Sequence, residues 1–327
     1  MSMPLLEVKD LTVTLSRQDR QIMALDNVSF SIKPGEVLGI VGESGAGKSI
    51  TGAAIINLLV PPLRRTSGII TLAGERLDTL SPRALRSVRG GRIGFVFQDP
   101  MTSLNPVITI GRQLIDTIRT HLRLGRDQAR RKAIDWLDRV GLPNPDLTLD
   151  RYPHQLSGGM RQRVVIALAL CADPVLLIAD EPTTALDVSV QAHILQLLRD
   201  LHRESGTSML LITHDLGVIA KMADTVAVFY AGRVAEISPV KELFTRPRHP
   251  YTEGLIRATP ALTAAGEIQL NPIAGAMPGL GALPNGCGFN PRCPKAQDDC
   301  RTIVPPLTQQ DLSAFACFHP LERSLVQ

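Results

Sequence analysis

The sequence predicts an α/β fold, on three observations. Short, uninterrupted apolar runs end abruptly in polar residues, the opening stretch alternates apolar with polar positions, and helix-compatible segments separate the runs. Runs such as Val37–Val41 and Val175–Ala179 have the composition of strands buried on both faces. Polar residues that follow such strands collect at the carboxyl edge of a parallel sheet, where folds of this class bind ligands. At 327 residues, with 44% hydrophobic and 20% charged, the chain suits one large domain and a smaller one.

In chain order, Leu6, Val8, Leu11, Val13 and Leu15 alternate with polar residues and predict an antiparallel strand with one solvated face. A polar turn follows around Arg17 to Arg20. Val28, Phe30 and Ile32 resume the alternation, and Pro34-Gly35 turns the chain into Val37–Val41. Ile69–Leu72, with a turn at Gly74, extends this antiparallel layer.

The stretch GESGAGKS comes directly after Val41: Gly42, Glu43, Ser44, Gly45, Ala46, Gly47, Lys48 and Ser49. A helix-compatible segment runs on from Ile50 to Leu59. A strand thus hands a glycine-rich turn to a helix N-terminus, whose free N–H groups carry partial positive charge. The glycines let the backbone curl around phosphate oxygens, Lys48 reaches the outer phosphates, and the Ser49 hydroxyl can ligate Mg²⁺. A Gly/Ser turn with a solvated lysine would explain the glycines, but not strand, spacing, Lys-Ser and helix together. The expectation is a nucleotide phosphate site.

Arg92 to Gln98 reads as another strand, delivering Gln98 to the same edge. Residues 107–141 are mostly helix-compatible and look like a helical insertion, about 100–172 in all. In LSGGMRQR, Ser157 is a helix N-cap, Gly158 and Gly159 leave backbone exposed, and Met160 to Ala172 continues as an apolar helix. This is a second helix N-terminus aimed at an anion. Val175–Ala179 ends in Asp180-Glu181-Pro182. One of these carboxylates can hold Mg²⁺ through water and the other can orient or deprotonate a water. Asp187 precedes a helix from Val188 to about Arg203, and the strand Met209 to Thr213 ends at His214. Thr225–Tyr230 and Val234–Ile237 read as a hairpin.

Composition removes several function classes. A net charge of +4 is too mild to imply nucleic acid, and aromatics at 4% offer no base-stacking platform. No apolar run has the roughly 18 residues of a membrane span, and the N-terminus lacks the pattern of a secretory signal. The expectation is a cytosolic protein whose membrane role, if any, needs partners. Arginines at 83, 86, 89 and 92, then 123, 126, 130 and 131, have the spacing of solvated helix faces, with docking on a partner or anionic headgroups as the alternative.

From about residue 245 the composition shifts: 11 of the 24 prolines and four of the five cysteines fall in this last part. A small, loop-rich appendage results, which would struggle to bury a core of its own. Cys287, Cys293, Cys300 and Cys317 are separated by 5, 6 and 16 residues, which is not the paired CxxC of a zinc ribbon. Disulfides do not suit a reducing compartment. Four clustered thiols suit a metal staple that supplies missing folding energy, with Zn²⁺ and unliganded thiols both open. Cys171, inside an apolar helix, reads as core packing.

Taken together, GESGAGKS, Gln98, LSGGMRQR, LLIADEP, Ala185-Leu186-Asp187 and His214 resemble the ATP-binding subunit of an ABC transporter, over roughly residues 5 to 240. The resemblance implies a P-loop NTPase core (residues 1–244) with an antiparallel layer and a helical insertion, followed by a C-terminal domain (245–327). It implies ATP and Mg²⁺ as ligands, with Ser49, Gln98 and Asp180 around the metal and Glu181 as catalytic base. His214 would be the switch histidine, and Lys48 would act on the phosphates. Ser157, Gly158, Gly159 and Met160 would complete the site of a facing subunit in a head-to-tail dimer, and Asp187 would take part in nucleotide binding. One departure is visible: the family's adenine-stacking aromatic falls at Leu15.

RHPYTEGLI, residues 248–256, and GCGFNPRCP, residues 286–294, are similar to the peptide (or nickel) import ATPases. That resemblance implies a second ATPase, two permeases, an extracytoplasmic binding protein, a peripheral place at the cytoplasmic face of the bacterial inner membrane, and a [4Fe–4S] cluster on the four cysteines. Import of nickel or another small solute is the alternative within the family. A soluble ABC ATPase acting on nucleic acid or ribosomes is the alternative outside it.

Overall fold

The computed structural model describes residues 3–17, 20–184, 186–259, 261–262, 268–269 and 271–322. The centre of the turn expected at Arg17 to Arg20, and Ala185, lie outside the described residues. The chain forms two compact units, residues 1–78 with 212–327, and residues 79–211.

The first unit opens with β1 (Leu6–Arg17) and β2 (Arg20–Ile32), which pair antiparallel from Leu6↔Ile32 to Arg17↔Arg20. Leu6, Val8, Leu11 and Val13 are buried as their alternation predicts. Thr12 and Thr14 are buried as well, because register shifts between Val8 and Thr14 break the simple in–out period. β3 (Val37–Val41) is buried at every position and leads into α1 (Lys48–Ile55). That helix starts two residues earlier than expected and stops short of Leu59, where Asn57 turns the chain with a φ of 52°. β4 (Leu63–Leu72) is longer than its apolar half suggests, since its polar half pairs with β1 through Leu15↔Leu63. With β5 (Glu75–Arg76) the antiparallel layer has the order β2-β1-β4-β5.

The second unit contains α2 (Pro82–Val88), β6 (Ile93–Val96), α3 (Pro100–Ser103), α4 (Ile110–Leu122), α5 (Arg126–Arg139), α6 (Pro145–Leu149), α7 (Gly158–Leu170), β7 (Leu176–Asp180), α8 (Val188–Ser205) and β8 (Ser208–Ile212). β6 and β7 run parallel from Ile93↔Leu176 to Val96↔Ala179, with β8 on the other flank of β7. β6 stops two residues before Gln98: Phe97 is 43% exposed, and Asp99 already caps α3 at Met101. Leu114 and Ile118 of α4, Ala133, Trp136 and Leu137 of α5, and Val164 to Ala167 of α7 form the apolar interior of the helical part. Arg83, Arg86, Arg123, Arg126, Arg130 and Arg131 stand on solvent, as their spacing predicts, whereas Arg89 and Arg92 are half-buried.

The chain then returns to the first unit with α9 (Leu216–Met222), β9 (Thr225–Tyr230), β10 (Arg233–Pro239), α10 (Val240–Thr245), α11 (Pro250–Ala258), β11 (Ala261–Leu262), β12 (Ile268–Gln269), α12 (Asp298–Thr302), β13 (Thr308–Gln310) and β14 (Ser313–Phe315). β3 pairs parallel with β9, and β10 joins β9 antiparallel. β14 then extends the sheet through Glu236↔Phe315. The last third of the chain therefore adds strands to an existing sheet and buries Tyr251, Phe289 and Phe315 in the same unit as the glycine-rich loop. A segment too poor in regular structure to form its own core obtains one this way.

Candidate nucleotide site and cysteine cavity

In the first unit the loop from Gly42 to Ser49 joins β3 to α1. Gly42 has a φ of 152°, and a Cβ there would run into the Phe229 carbonyl. Gly47 has a φ of 98° and would meet Leu25 at 2.6 Å. Neither position admits another residue without moving backbone or core. Ser44, Gly45 and Ser49 are exposed, Ile50 is half-buried, and Ala46 and Lys48 are buried. The loop closes on itself: the Ala46 N–H donates to the Glu43 carbonyl at 3.2 Å. The Lys48 ammonium donates to the carbonyls of Gly42 and Glu43 at 2.9 and 3.1 Å. A buried cation is thus held by the carbonyls of a glycine-rich loop at the N-terminus of a helix, an arrangement suited to a polyphosphate.

His214 lies between β8 and α9, also in this unit. Its neighbours are fixed on both sides, by the Thr213 N–H on the Ile40 carbonyl at 3.1 Å and by Asp215, which caps α9 at Gly217 with 2.7 Å. The imidazole itself is exposed.

In the second unit, Asp180 ends β7 almost buried, at 6% exposure. Glu181 follows with a φ of 46°, a left-handed conformation that is uncommon for a side chain of this kind. That turn swings the Glu181 carboxylate out of strand register. Its Oε2 accepts from the Gln98 amide at 3.1 Å and from the Thr184 hydroxyl at 2.7 Å. Gln162 of α7, itself buried, donates to the Pro182 carbonyl at 2.6 Å and ties the turn to the helix that Ser157 caps. Ser157 accepts from the Met160 N–H at 3.3 Å, so Gly158 and Gly159 form the first turn of α7 rather than preceding it. Asp187 caps α8 at Val190 with 2.9 Å. That amide, followed by the Ser189 hydroxyl, holds its carboxyl below the usual range.

The sequence reading did not single out Thr184, Gln162, Tyr251 or Arg292 as site residues. The first two are ordinary polar residues until the turn at Glu181 brings them together. Tyr251 and Arg292 sit inside the stretches that identified the C-terminal segment, but their target is the glycine-rich loop. The Tyr251 hydroxyl accepts from the Glu43 N–H at 3.0 Å, and Arg292 pairs with the Glu43 carboxylate at 3.0 Å.

Cys287, Cys293, Cys300 and Cys317 all line one small cavity, with His249, Phe289 and His319 among its other walls. Burial is the first cause that pushes the Cys317 thiol up to about 11, and the charges of the other three follow. Burial likewise raises Cys287 and Cys293, to which neighbouring cysteines add. A thiolate at Cys287, Cys293 or Cys317 is costly here unless a cation compensates it. Among the described residues, three ligand atoms gather within 4.8 Å at Asp299, Cys300 and His319, where the His319 Nε2 meets both Asp299 oxygens at 2.9 Å. Cys171 lies apart in the core, its thiol raised to about 12 by burial, as core packing requires.

Comparison with known proteins agrees with these features. Residues 25–184 match the ABC transporter family, and residues 235–300 match the oligopeptide/dipeptide transporter C-terminal region. The dipeptide transport ATP-binding protein DppD of Escherichia coli strain K12 is 45% identical over 98% of both chains. The oligopeptide transport ATP-binding protein OppD of Bacillus subtilis strain 168 is 48% identical, over 87% of this chain and 80% of its own length. Among solved structures, the dimeric ATP-binding cassette MJ0796 in a post-hydrolysis state bound to ADP and Pi aligns with a TM-score of 0.65 at 31% identity, covering 72% of this chain and 98% of its own. With a glycine-rich loop at the end of a buried strand, a tethered glutamate after β7, and identity of this extent, the chain belongs to the ABC transporter family of ATP-binding subunits.

Proposed function

We propose that this chain is the ATP-hydrolysing subunit of a bacterial importer of dipeptides or oligopeptides. What carries the reading is the joining, in one chain, of the loop around Lys48 to a segment matching the oligopeptide/dipeptide transporter C-terminal region. Relatives aligned over 87% and 98% of this chain are named for oligopeptide and dipeptide transport.

In this reading residues 42–50 hold the nucleotide phosphates and Lys48 neutralises charge on the outer ones. Ser49, Asp180 and Gln98 are the residues that would hold Mg²⁺, which would offset the charge of the phosphates. Glu181 orients the attacking water and accepts its proton, and Gln98 and Thr184 keep its carboxylate in one orientation. Phosphoryl transfer depends on such positioning and charge stabilisation more than on covalent chemistry. His214 supplies a donor for the outer phosphate. Ser157, Gly158, Gly159 and Met160 serve the site of a facing ATPase subunit, so hydrolysis requires dimer closure, and Asp187 takes part in nucleotide binding. Closure is the two-state element that drives transport.

Among the described residues no helix is long and apolar enough to cross a membrane. The chain therefore acts through partners: a second ATPase, two permeases and an extracytoplasmic binding protein, at the cytoplasmic membrane face. In domain terms, residues 1–244 act as the ATPase and 245–327 as the importer-type C-terminal domain.

The four cysteines are assigned to a [4Fe–4S] cluster. Four thiols line one cavity, where a cationic core would offset the cost of their charges. A lone zinc at about 2.3 Å from each sulfur would draw the thiols to within roughly 4 Å of one another. The close-set trio is instead Asp299, Cys300 and His319, which shares only one of the four cysteines. The cluster, when bound, supplies folding energy to a segment poor in apolar core.

The test is uptake of a labelled dipeptide and a labelled tetrapeptide by liposomes containing the assembled transporter and its binding protein. Peptide uptake that requires ATP supports the reading. Uptake of nickel without peptide would overturn the cargo, and absence of ATP hydrolysis in the full complex would overturn the activity.

A further inference from the structure

Glu43 is held by all of its polar groups. Its N–H donates to the Tyr251 hydroxyl at 3.0 Å, its carbonyl accepts from the Lys48 ammonium at 3.1 Å, and both carboxylate oxygens accept from Arg292 Nη1 at 3.0 Å. Tyr251 is fully buried, and the Arg292 side chain is 6% exposed. Arg292 also donates from Nε to the Ala274 carbonyl at 2.9 Å and reaches the Tyr230 hydroxyl at 3.4 Å. The segment it grips lies on the loop as well: Met277 stands 3.3 Å from where a Cβ on Gly45 would be.

Arg292 ends a tight turn, residues 290–292, set between Cys287 and Cys293. Asn290 pins that turn to the carbonyls of Asn285 and Cys287 at 2.8 Å, and the Cys287 N–H reaches the Cys300 carbonyl at 2.8 Å. The cysteine-bearing loop therefore ends in a buried arginine whose partner is the second residue of the glycine-rich loop.

We propose that Arg292 and Tyr251 are positioning residues of the nucleotide site, through which the cysteine loop sets its affinity for nucleotide polyphosphates. The proposal rests on the reading of residues 42–49 as the phosphate loop. Two physical effects carry it. A carboxylate on a loop that must receive a polyphosphate repels the ligand unless a cation neutralises it, and Arg292 does so at contact distance in a site of low exposure. The Glu43 carbonyl is one of two that orient the Lys48 ammonium, so fixing Glu43 at its amide and carboxylate fixes the lysine.

The test is equilibrium titration of the full-length protein with a fluorescent ADP analogue, with circular dichroism melts to confirm folding. Arg292→Ala is expected to weaken binding about tenfold, and Arg292→Lys, which keeps the charge, to stay within about threefold. The double variant Arg292→Ala/Glu43→Gln is expected to recover most of the loss. A purely structural role for Arg292 would not give that recovery. Tyr251→Phe, which removes only the hydroxyl, is expected to weaken binding about threefold and reports on the loop even if Arg292→Ala does not fold. Wild-type affinity in Arg292→Ala and Tyr251→Phe, or no recovery in the double variant, would overturn the proposal. Lys48→Ala separates the two readings: wild-type affinity there would remove the phosphate-loop assignment itself.

Discussion

Gln98 and Glu181 are joined by a hydrogen bond of 3.1 Å, although 83 residues separate them in the chain. The Thr184 hydroxyl meets the same carboxylate oxygen at 2.7 Å, and the left-handed turn at Glu181 aims the group. Two donors on one oxygen restrict rotation of the carboxylate, as a base that must address a single water requires.

Replacing that carboxylate by an amide removes the proposed base while leaving size and shape. Glu181→Gln is expected to keep nucleotide binding and lower ATP turnover in the assembled transporter by about 10² or more. Single-turnover hydrolysis of labelled ATP checks it, and unimpaired hydrolysis at the site containing Glu181 would exclude that residue as the base.

Thr184→Val deletes one of the two orienting donors without a change of shape. The loss of a hydrogen bond to a charged group, about 1.5–3 kcal/mol, corresponds to a fall in kcat of about ten- to a hundredfold. KM should barely change, because the hydroxyl acts on the Glu181 carboxylate. A change confined to KM would contradict this role.

Gly42→Ala places a Cβ against the Phe229 carbonyl at a φ that L residues rarely adopt. The expected outcome is loss of measurable nucleotide binding together with a lowered melting temperature. Ser44→Ala, at an exposed loop position, is expected to leave the melting temperature unchanged.

His249 carries a pH dependence whose sign is fixed by its burial. Its Nδ1 accepts from the Tyr251 N–H at 3.0 Å, and complete burial lowers its pKa from 6.5 to about 4. The ring is neutral in both states above pH 6.5. As pH falls from there toward about 4, the unfolded chain takes up a proton that the fold refuses, so stability is lost on acidification. The loss attributable to this residue is on the order of 3 kcal/mol near the bottom of that window. Denaturant midpoints at pH 7 and pH 5 should show a smaller difference in His249→Gln than in the natural protein.

The four cysteines give a prediction read in colour. Protein purified without oxygen is expected to be brown, with broad absorption near 400 nm and about four irons per chain. Cys293→Ser should bleach it and lower the melting temperature. Zinc without iron would replace the cluster by a redox-inert staple, and protein free of both would leave the thiols unliganded.

Much of this site was legible in the sequence because backbone chemistry writes itself locally. Gly42 and Gly47 mark positive φ, Ser157 and Asp187 announce the caps of α7 and α8, and Val175–Ala179 marks a strand buried on both faces. Where local signals weaken, the reading slipped. The strand expected to reach Gln98 stops at Val96, and β4 extends into polar residues because β1 pairs with them. Cross-strand partners are invisible in a single stretch of sequence.

The sequence by itself determined the chemistry: a loop of glycines with Lys48 and Ser49, a strand ending in Asp180-Glu181, and four cysteines in a segment with little core of its own. Only the tertiary structure decided which residues serve those groups. Arg292 is 249 positions from Glu43 and Tyr251 is 208, and no propensity or spacing links them. They meet because the segment after about residue 245 has little core of its own, and buries Tyr251, Phe289 and Phe315 in the unit that carries the glycine-rich loop. Hydrophobic burial is non-directional and long-range in sequence, whereas turn and cap chemistry is local, so the sequence disclosed the second and the fold supplied the first.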